Sequence, residues 1–466
     1  MRRVALAFAT VLAAGCAPER TRVPFHVVAL GPDPFFGGTI SDIVVAVERG
    51  GVRDDSVTTR YAPDARELVL PPLPHGGDYA LVVETELDGL TLGRGRSFPF
   101  SVSAAGAERA PDVTLGAVGR FASLAPGGAE PAWEEMWPTD EGALLTSTAG
   151  LARFVAHEAS TGLPTLAPTV AWPAARVGGF GVGLGTGALV VGGTSGGAAL
   201  VLPDGTVAAE LGADVLPAAH GMSVVTLDES SVLVAGGATD AGEPVLDVVK
   251  ITLTDGRLST TALPPLTEPR LDAEPLAIEA RTTTLAIEPR VMMLGGTDAT
   301  GLAASSIVLL DPSGGAAPQR LASTIPTSDS AACALDVGLV LVAGGRDAAG
   351  TVVTDTNLLV VQLGDPSSIE VLSPAPPRLF RARAGAYALS FGAGLALVVG
   401  GVDASGAPLA ETELAEVRLD ALPGSIVLSD RVVSPAAGSS GTRLSDHTLL
   451  VSTGDSVSLY FPPRGE

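Results

Sequence analysis

An all-β protein built largely from one repeated unit of strands is what this sequence predicts, and three observations carry the prediction. Seven times, a run of small and branched apolar residues ends in a pair of tiny ones, and in five of these the pair is Gly-Gly: Gly192-Gly193, Gly236-Gly237, Gly295-Gly296, Gly344-Gly345 and Gly400-Gly401. Two degenerate copies, Leu144-Leu145-Thr146-Ser147-Thr148 and Leu449-Leu450-Val451-Ser452-Thr453, flank them. Aligned at positions 147, 192, 236, 295, 344, 400 and 452, the repeats lie 45, 44, 59, 49, 56 and 52 residues apart. A period of about 50 residues made of strands and turns is that of a β-propeller blade. The runs are continuously apolar instead of alternating, as strands buried on both faces are. Composition agrees: 57 Gly, 36 Pro, 4% aromatics and no long apolar run after the first 15 residues fit a strand-and-turn protein that does not span a membrane.

The chain starts with a leader-like segment. Arg2 and Arg3 precede the apolar stretch Val4 to Leu12, and Ala13-Ala14-Gly15 abuts Cys16. This is the layout of a secretory signal, too short to cross a bilayer stably. Its end resembles the lipobox of bacterial lipoproteins, departing where Ala13 stands in the place Leu commonly takes. The resemblance implies a signal peptide over 1–15, lipid attachment at Cys16 and a tether over 16–23. Several acyl chains hold a protein far more firmly than one does. The other cysteine, Cys333, sits in the run Ala331-Ala332-Cys333-Ala334-Leu335, so no disulfide framework is expected.

Residues 24–117 read as a small β-sandwich, with alternating stretches over 25–30, 43–47, 67–70, 79–84 and 97–102 separated by turn residues. The stretch Leu73-Pro74-His75-Gly76-Gly77-Asp78-Tyr79 resembles the corner by which immunoglobulin-like and fibronectin type III domains start a late strand. That resemblance implies a Tyr79 hydroxyl tied back to backbone a few residues upstream. His26 and His75 have no further ligand at useful spacing, so metal binding is not expected there.

Residues 118–463 hold the repeats. After each glycine pair comes a more mixed strand, such as Val248 to Leu253 or Glu413 to Val417, then a short segment before prolines that suits an outer edge. A further run, such as Ala384 to Leu389, leads back inward. With Pro269-Arg270, Pro377-Arg378 and, more loosely, Pro173-Ala174-Ala175-Arg176, the pattern resembles the kelch repeat, although the downstream Tyr and Trp of that family are missing. The resemblance implies a seven-bladed kelch-like β-propeller following the immunoglobulin/fibronectin-III-like sandwich. The last copy is short of an outer strand, and Gly119 to Pro126 reads as the strand that supplies it, leaving no open edge.

The formal net charge of -23, with Lys250 the only lysine, argues against nucleic-acid or anionic-lipid partners. On one end of the repeats an aspartate recurs, in Asp240-Ala241-Gly242, Asp298-Ala299-Thr300-Gly301, Asp347-Ala348-Ala349-Gly350 and Asp403-Ala404-Ser405-Gly406. Turn chemistry alone accounts for such a pattern. With Arg176, Arg270 and Arg378 at the same end, Asp240, Asp298, Asp347 and Asp403 also form a candidate face for a polar ligand or partner. Calcium-loop spacing is missing, and no metal site or cofactor is expected. No Gly-x-Ser-x-Gly, His-Glu-x-x-His or phosphate loop occurs. His220 opens an inward strand, His157 and His447 fall at the opposite end, and Glu134-Glu135 reads equally as a solvated pair. The expected function is an envelope-anchored, monomeric binding or scaffold lipoprotein that presents a propeller to an envelope protein or glycan. It is expected in the bacterial cell envelope, on the outer membrane facing periplasm or cell surface, touching the membrane through its anchor alone and without catalysis. The alternative is a secreted or envelope enzyme of the kelch-propeller oxidase or carbohydrate-active type.

Overall fold

A computed structural model describes residues 19–30, 40–124, 133, 135–156, 164–216, 219–371, 378–418, 425–433 and 440–462. Short interruptions fall at 66, 110, 148, 195, 240, 299, 305, 323–324, 326–327, 365–366, 393 and 453–456. The described chain is all-β, made of small, mostly antiparallel sheets. Its one helical element is the 3-10 turn Ala174–Arg176. No helix among the described residues is long and apolar enough to cross a membrane, and Cys16 lies outside them.

The N-terminal strands wrap one core of Val45, Val47, Leu81, Val83, Phe100 and Val113. The long strand Gly76–Leu87 organises them. Asp42–Arg49 pairs along one edge, while Leu90–Arg96 and Phe100–Ser103 share the other. Val113–Ala117 continues the network and pairs in parallel with Val27–Ala29. Hydrogen bonding therefore links these strands into one connected sheet bent around its core, where the sequence pattern suggests two sheets. Val52–Tyr61 and Leu90–Arg96 are strands that the pattern missed, and 67–70 forms none. Val52–Tyr61 occupies the sheet edge and is mostly exposed, so neither of its faces imposes an apolar alternation. The Tyr79 hydroxyl donates to the Pro74 carbonyl at 3.1 Å, as the corner motif implied.

The repeats fold as four-stranded antiparallel meanders. Phe180–Leu184, Gly187–Val191, Ala198–Val201 and Val207–Leu211 follow one another in sheet order, as do Ser223–Asp228, Ser231–Ala235, Val248–Thr254 and Arg257–Leu263. The same order recurs through Tyr387–Gly392, Leu395–Val399, Glu411–Arg418 and Ser425–Val433. Glu135–Thr139, Gly142–Ser147 and Gly150–Val155 carry two short outer strands, Thr165–Leu166 and Val170–Ala171. The meanders starting at Glu274–Thr282 and Ala331–Asp336 are joined into one sheet by a short parallel pairing of Arg281 and Thr282 with Gln362 and Leu363. The last group is Gly441–Arg443, Leu449–Ser452 and Val457–Tyr460, and its outer strand comes from far upstream: Phe121–Ser123 pairs with Tyr460, Leu459 and Ser458. Of the closing strand read from sequence at 119–126, Phe121–Ser123 sits where expected, and 125–126 lie outside the described residues.

The second strands end in tiny pairs and are buried where they approach them, Ser231–Ala235, Leu339–Ala343 and Leu395–Val399 along their whole length and Ile287–Leu294 over its last four residues. The first strands touch in succession. Glu135–Thr139 meets Phe180–Leu184, which meets Ser223–Asp228, then Glu274–Thr282, Ala331–Asp336, Tyr387–Gly392 and Gly441–Arg443, which returns to Glu135–Thr139. Between neighbouring groups lie apolar cores, for example Leu341, Leu358, Ala396 and Val398. At about 25 cal/mol per Å² of apolar surface removed from water, these layers are the main stabilising term.

Candidate functional site

The cycle of first strands surrounds an open cavity of about 790 Å³. Six of these strands line it. Glu135 and Trp137 come from the first, Phe180 and Val182 from the second, Thr226 from the third, Glu274 and Leu276 from the fourth, Cys333 from the fifth, Tyr387 and Ser390 from the sixth. His220, Gly221 and Asp272, which precede first strands, line the end where those strands begin. Isolated bridges Leu271 to Thr297, Ser328 to Arg346 and Ala384 to Val402 set the loops after the glycine pairs beside that same end. The loops in which aspartates recur therefore border the mouth of the cavity.

Electrostatically the cavity is acidic. Glu274 is exposed at its wall, and the protein around the cavity, by taking away part of the carboxyl's hydration, pushes it up to about 7. Tyr387 is raised well above the usual phenol range, first by burial and then by the negative charge of Glu135 and Glu274, with Cys333 adding a smaller push. These four groups are thus within electrostatic reach of one another. Burial pushes the Cys333 thiol up to about 12, so it stays protonated and a poor nucleophile at neutral pH. The Trp137 indole N–H is buried without an acceptor.

The residues singled out from sequence take other positions. Asp298 Oδ1 accepts from Thr300 N, Thr300 Oγ1 and Leu302 N at 2.8, 2.7 and 3.1 Å. Asp403 Oδ1 accepts in the same way from Ser405 and Ala407, and Asp347 Oδ1 from Ala349 N and Thr351 N. The hydrogen bonds hold the Asp298 and Asp403 carboxyls below the usual carboxylate range. Each aspartate folds its own turn through one oxygen. Asp240 lies outside the described residues, and in its loop Thr239 takes the equivalent place, its Oγ1 accepting from Glu243 N at 3.2 Å.

The arginines differ from one another. Arg270 is 1% exposed, and its Nη1 donates to the Gly295 carbonyl at 3.2 Å while Nη2 meets Glu268 and Ser306. Arg176 is buried on the Gly196 carbonyl. Arg378, by contrast, has a side chain 77% exposed and only a loose 3.5 Å approach to Asp355. The residue that repeats the Arg270 pose is Arg383, donating to Gly400 O and Glu411 O and ion-paired to Glu413 at 2.6 Å. In Arg176, Arg270 and Arg383 alike, Nε is the nitrogen left without an acceptor. Arg176 and Arg270 are therefore structural pins under the mouth and present no charge to a ligand there.

The wall residues Glu135, Glu274 and Tyr387 were missed or read as surface, because on strands open to a cavity polar side chains break the apolar pattern just as exposed ones do. His26 pairs with Asp112 at 3.0 Å, and His75 meets Thr21 Oγ1 at 2.9 Å and Glu19 at 3.4 Å. His157 lies outside the described residues, as does Glu134. Among the described residues no group of three His, Cys, Asp or Glu has the geometry of a metal site.

No family model matches this chain, and no curated protein does. Among solved structures, that of YjhT is similar over 60% of this chain and 92% of its own, at 13% sequence identity and a TM-score of 0.41.

Proposed function

We propose that this chain is an envelope-anchored lipoprotein in which a seven-bladed, kelch-like β-propeller, carried behind an immunoglobulin- or fibronectin-like domain, binds a ligand at the open end of its central cavity. One observation carries the reading: the first strands of successive meanders touch in a closed cycle, and six of them face one cavity. The strand Phe121–Ser123, pairing with the last meander, supports closure, since it leaves that sheet no free edge. The glycine pairs support the kelch likeness, the Tyr79 corner supports the immunoglobulin-like one, and the small residues before Cys16 support the anchor. A largely preformed concave site is where binding proteins place their ligands. The chain acts there by binding, as monomer, on an envelope protein or glycan.

The test is capture from envelope extract and on a glycan array, with Ala277→Trp filling the cavity and Asp298, Asp347 and Asp403 changed together to Asn at its mouth. Capture is expected to fail with Ala277→Trp. Capture unchanged in both variants would overturn the reading. Incorporation of labelled palmitate is expected to vanish in Cys16→Ser, and its persistence would remove the anchor.

An oxidase on the same scaffold is favoured by one observation, that Cys333, Tyr387 and His220 share the cavity. A thioether between Cys333 and Tyr387 in the peptide mass spectrum would decide for it over binding alone.

A further inference from the structure

We propose that the central cavity is a site for an organic cation, an amine or quaternary ammonium group carried on a small, partly apolar frame. The inference deepens the binding reading above and rests on it. A volume of about 790 Å³ suits a small molecule, since such sites span roughly 300–1,000 Å³. Glu135, Asp272 and Glu274 line it, and no Arg or Lys does among the described lining residues. Glu274 is exposed to the cavity, and three carboxylic groups share one concave space with no cationic side chain lining it among the described residues. Like charges crowded into such a space favour a counter-charge there. A neutral sugar leaves that charge uncompensated and an anion meets repulsion, whereas a cation resolves it.

The rest of the wall fits the same chemistry. Trp137, Phe180 and Tyr387 line the same space, and aromatic rings attract cations. The overall charge of -23 raises the local concentration of cations and speeds their encounter.

Calorimetric titration of the purified protein with choline and putrescine tests this, against the neutral isosteres 3,3-dimethylbutan-1-ol and 1,4-butanediol. At least one cation is expected to bind about tenfold or more tightly than its isostere, the difference one charge-assisted contact makes. Glu135→Gln and Glu274→Gln are each expected to weaken it to a similar degree at unchanged circular dichroism. Ala277→Trp, which fills the space without altering its charge, is expected to abolish it. Equal binding of an isostere would overturn the cation while leaving the binding reading intact. Cation binding undiminished in the Glu135→Gln, Glu274→Gln double variant would place it on the acidic outer surface and overturn the proposal. Binding of neither cation would overturn it too, and the Ala277→Trp capture experiment would then decide the binding reading separately.

Discussion

At the scale of single residues, the glycine pairs are required twice over. Gly344 and Gly345 both have positive φ, +66° and +94°, which L side chains rarely adopt. A Cβ on Gly345 would also lie 2.6 Å from the Ser328 carbonyl oxygen, and one on Gly344 2.4 Å from that of Arg383. Neither neighbour is a flexible side-chain end; both are backbone of the segments leading into first strands. Gly345→Ala is therefore expected to destabilise by about 3 kcal/mol or more, conformational strain adding to a clash. Gly350→Ala, at a φ of +78° with nothing near its Cβ, should cost about 1–2 kcal/mol. Urea denaturation of the two variants checks the comparison, and equal losses would refute it. Glu274 makes the second residue-scale prediction. Its carboxyl ionises at about 7 when folded against 4.5 when free, so the native state binds the proton more tightly. Its contribution to stability is full below pH 4.5 and is lost as pH rises through about 7. The melting temperature of Glu274→Gln relative to the unmodified protein should then climb across that window, and a flat difference would contradict a carboxyl that loses hydration in the cavity wall. The repeating glycines were legible because backbone strain admits only one residue. Asp240 lies outside the described residues, while beside it Thr239 makes the turn bond that an aspartate makes in the neighbouring loops.

At the scale of elements, arginines stitch neighbouring meanders together. The Arg383 carbonyl accepts from Gly345 N at 2.7 Å in the preceding meander, while its guanidinium reaches Gly400 O in its own. Arg270 repeats this between Gly237 N and Gly295 O. Arg383 and Glu413 are fully buried, and the Glu413 carboxylate also accepts from Phe380 N and Arg381 N at 2.7 and 3.2 Å. Glu413→Ala strands a guanidinium in the interior and should cost about 3–5 kcal/mol. Arg378→Ala, on the exposed arginine, should stay within about 0.5 kcal/mol. Thermal melts of the pair check which arginine the fold uses, and the reverse ranking would reject the stitch. The sequence pointed to Arg378 because the proline before it mimics Pro269-Arg270. What decides is the distance to the next first strand, and a longer proline-rich connection in this repeat hides it. Strand existence was legible where both faces are buried and illegible where neither is, as in Val52–Tyr61.

At the scale of the whole molecule, the N-terminal sheet and the meanders share an apolar cluster where they meet. Phe98 packs in a cluster with Trp133, Leu145, Phe154, Leu450, Leu459 and Phe461. A bridge joins Val118 to Phe461, and Arg96, ion-paired to Glu48 at 2.8 Å, donates to the Ser445 carbonyl at 2.9 Å. The sequence places a boundary at 117/118, and nothing in its composition announces a shared core, because several of the partners lie at the far end of the chain, Arg96 and Ser445 being 349 residues apart. A seam of this kind makes the parts unfold together, since the apolar surface exposed by separating them must be hydrated. Calorimetry is expected to give one transition for the intact chain. Gly116 is where that coupling is most sensitive: a Cβ there would lie 2.1 Å from Phe461 Cε2. Phe461 is 2% exposed and has no room to swing away without opening the core. Gly116→Val should therefore force the seam apart and split the single transition into two, the meander part melting at the lower temperature because Phe461 and the closing strand Phe121–Ser123 belong to it. Phe461→Ala relieves the clash in the double variant at the expense of a cavity, so one transition should return at a reduced melting temperature. Two separate transitions in the unmodified protein would show that the sheet and the meanders fold independently, and the coupling drawn through Gly116 and Phe461 would fall with it.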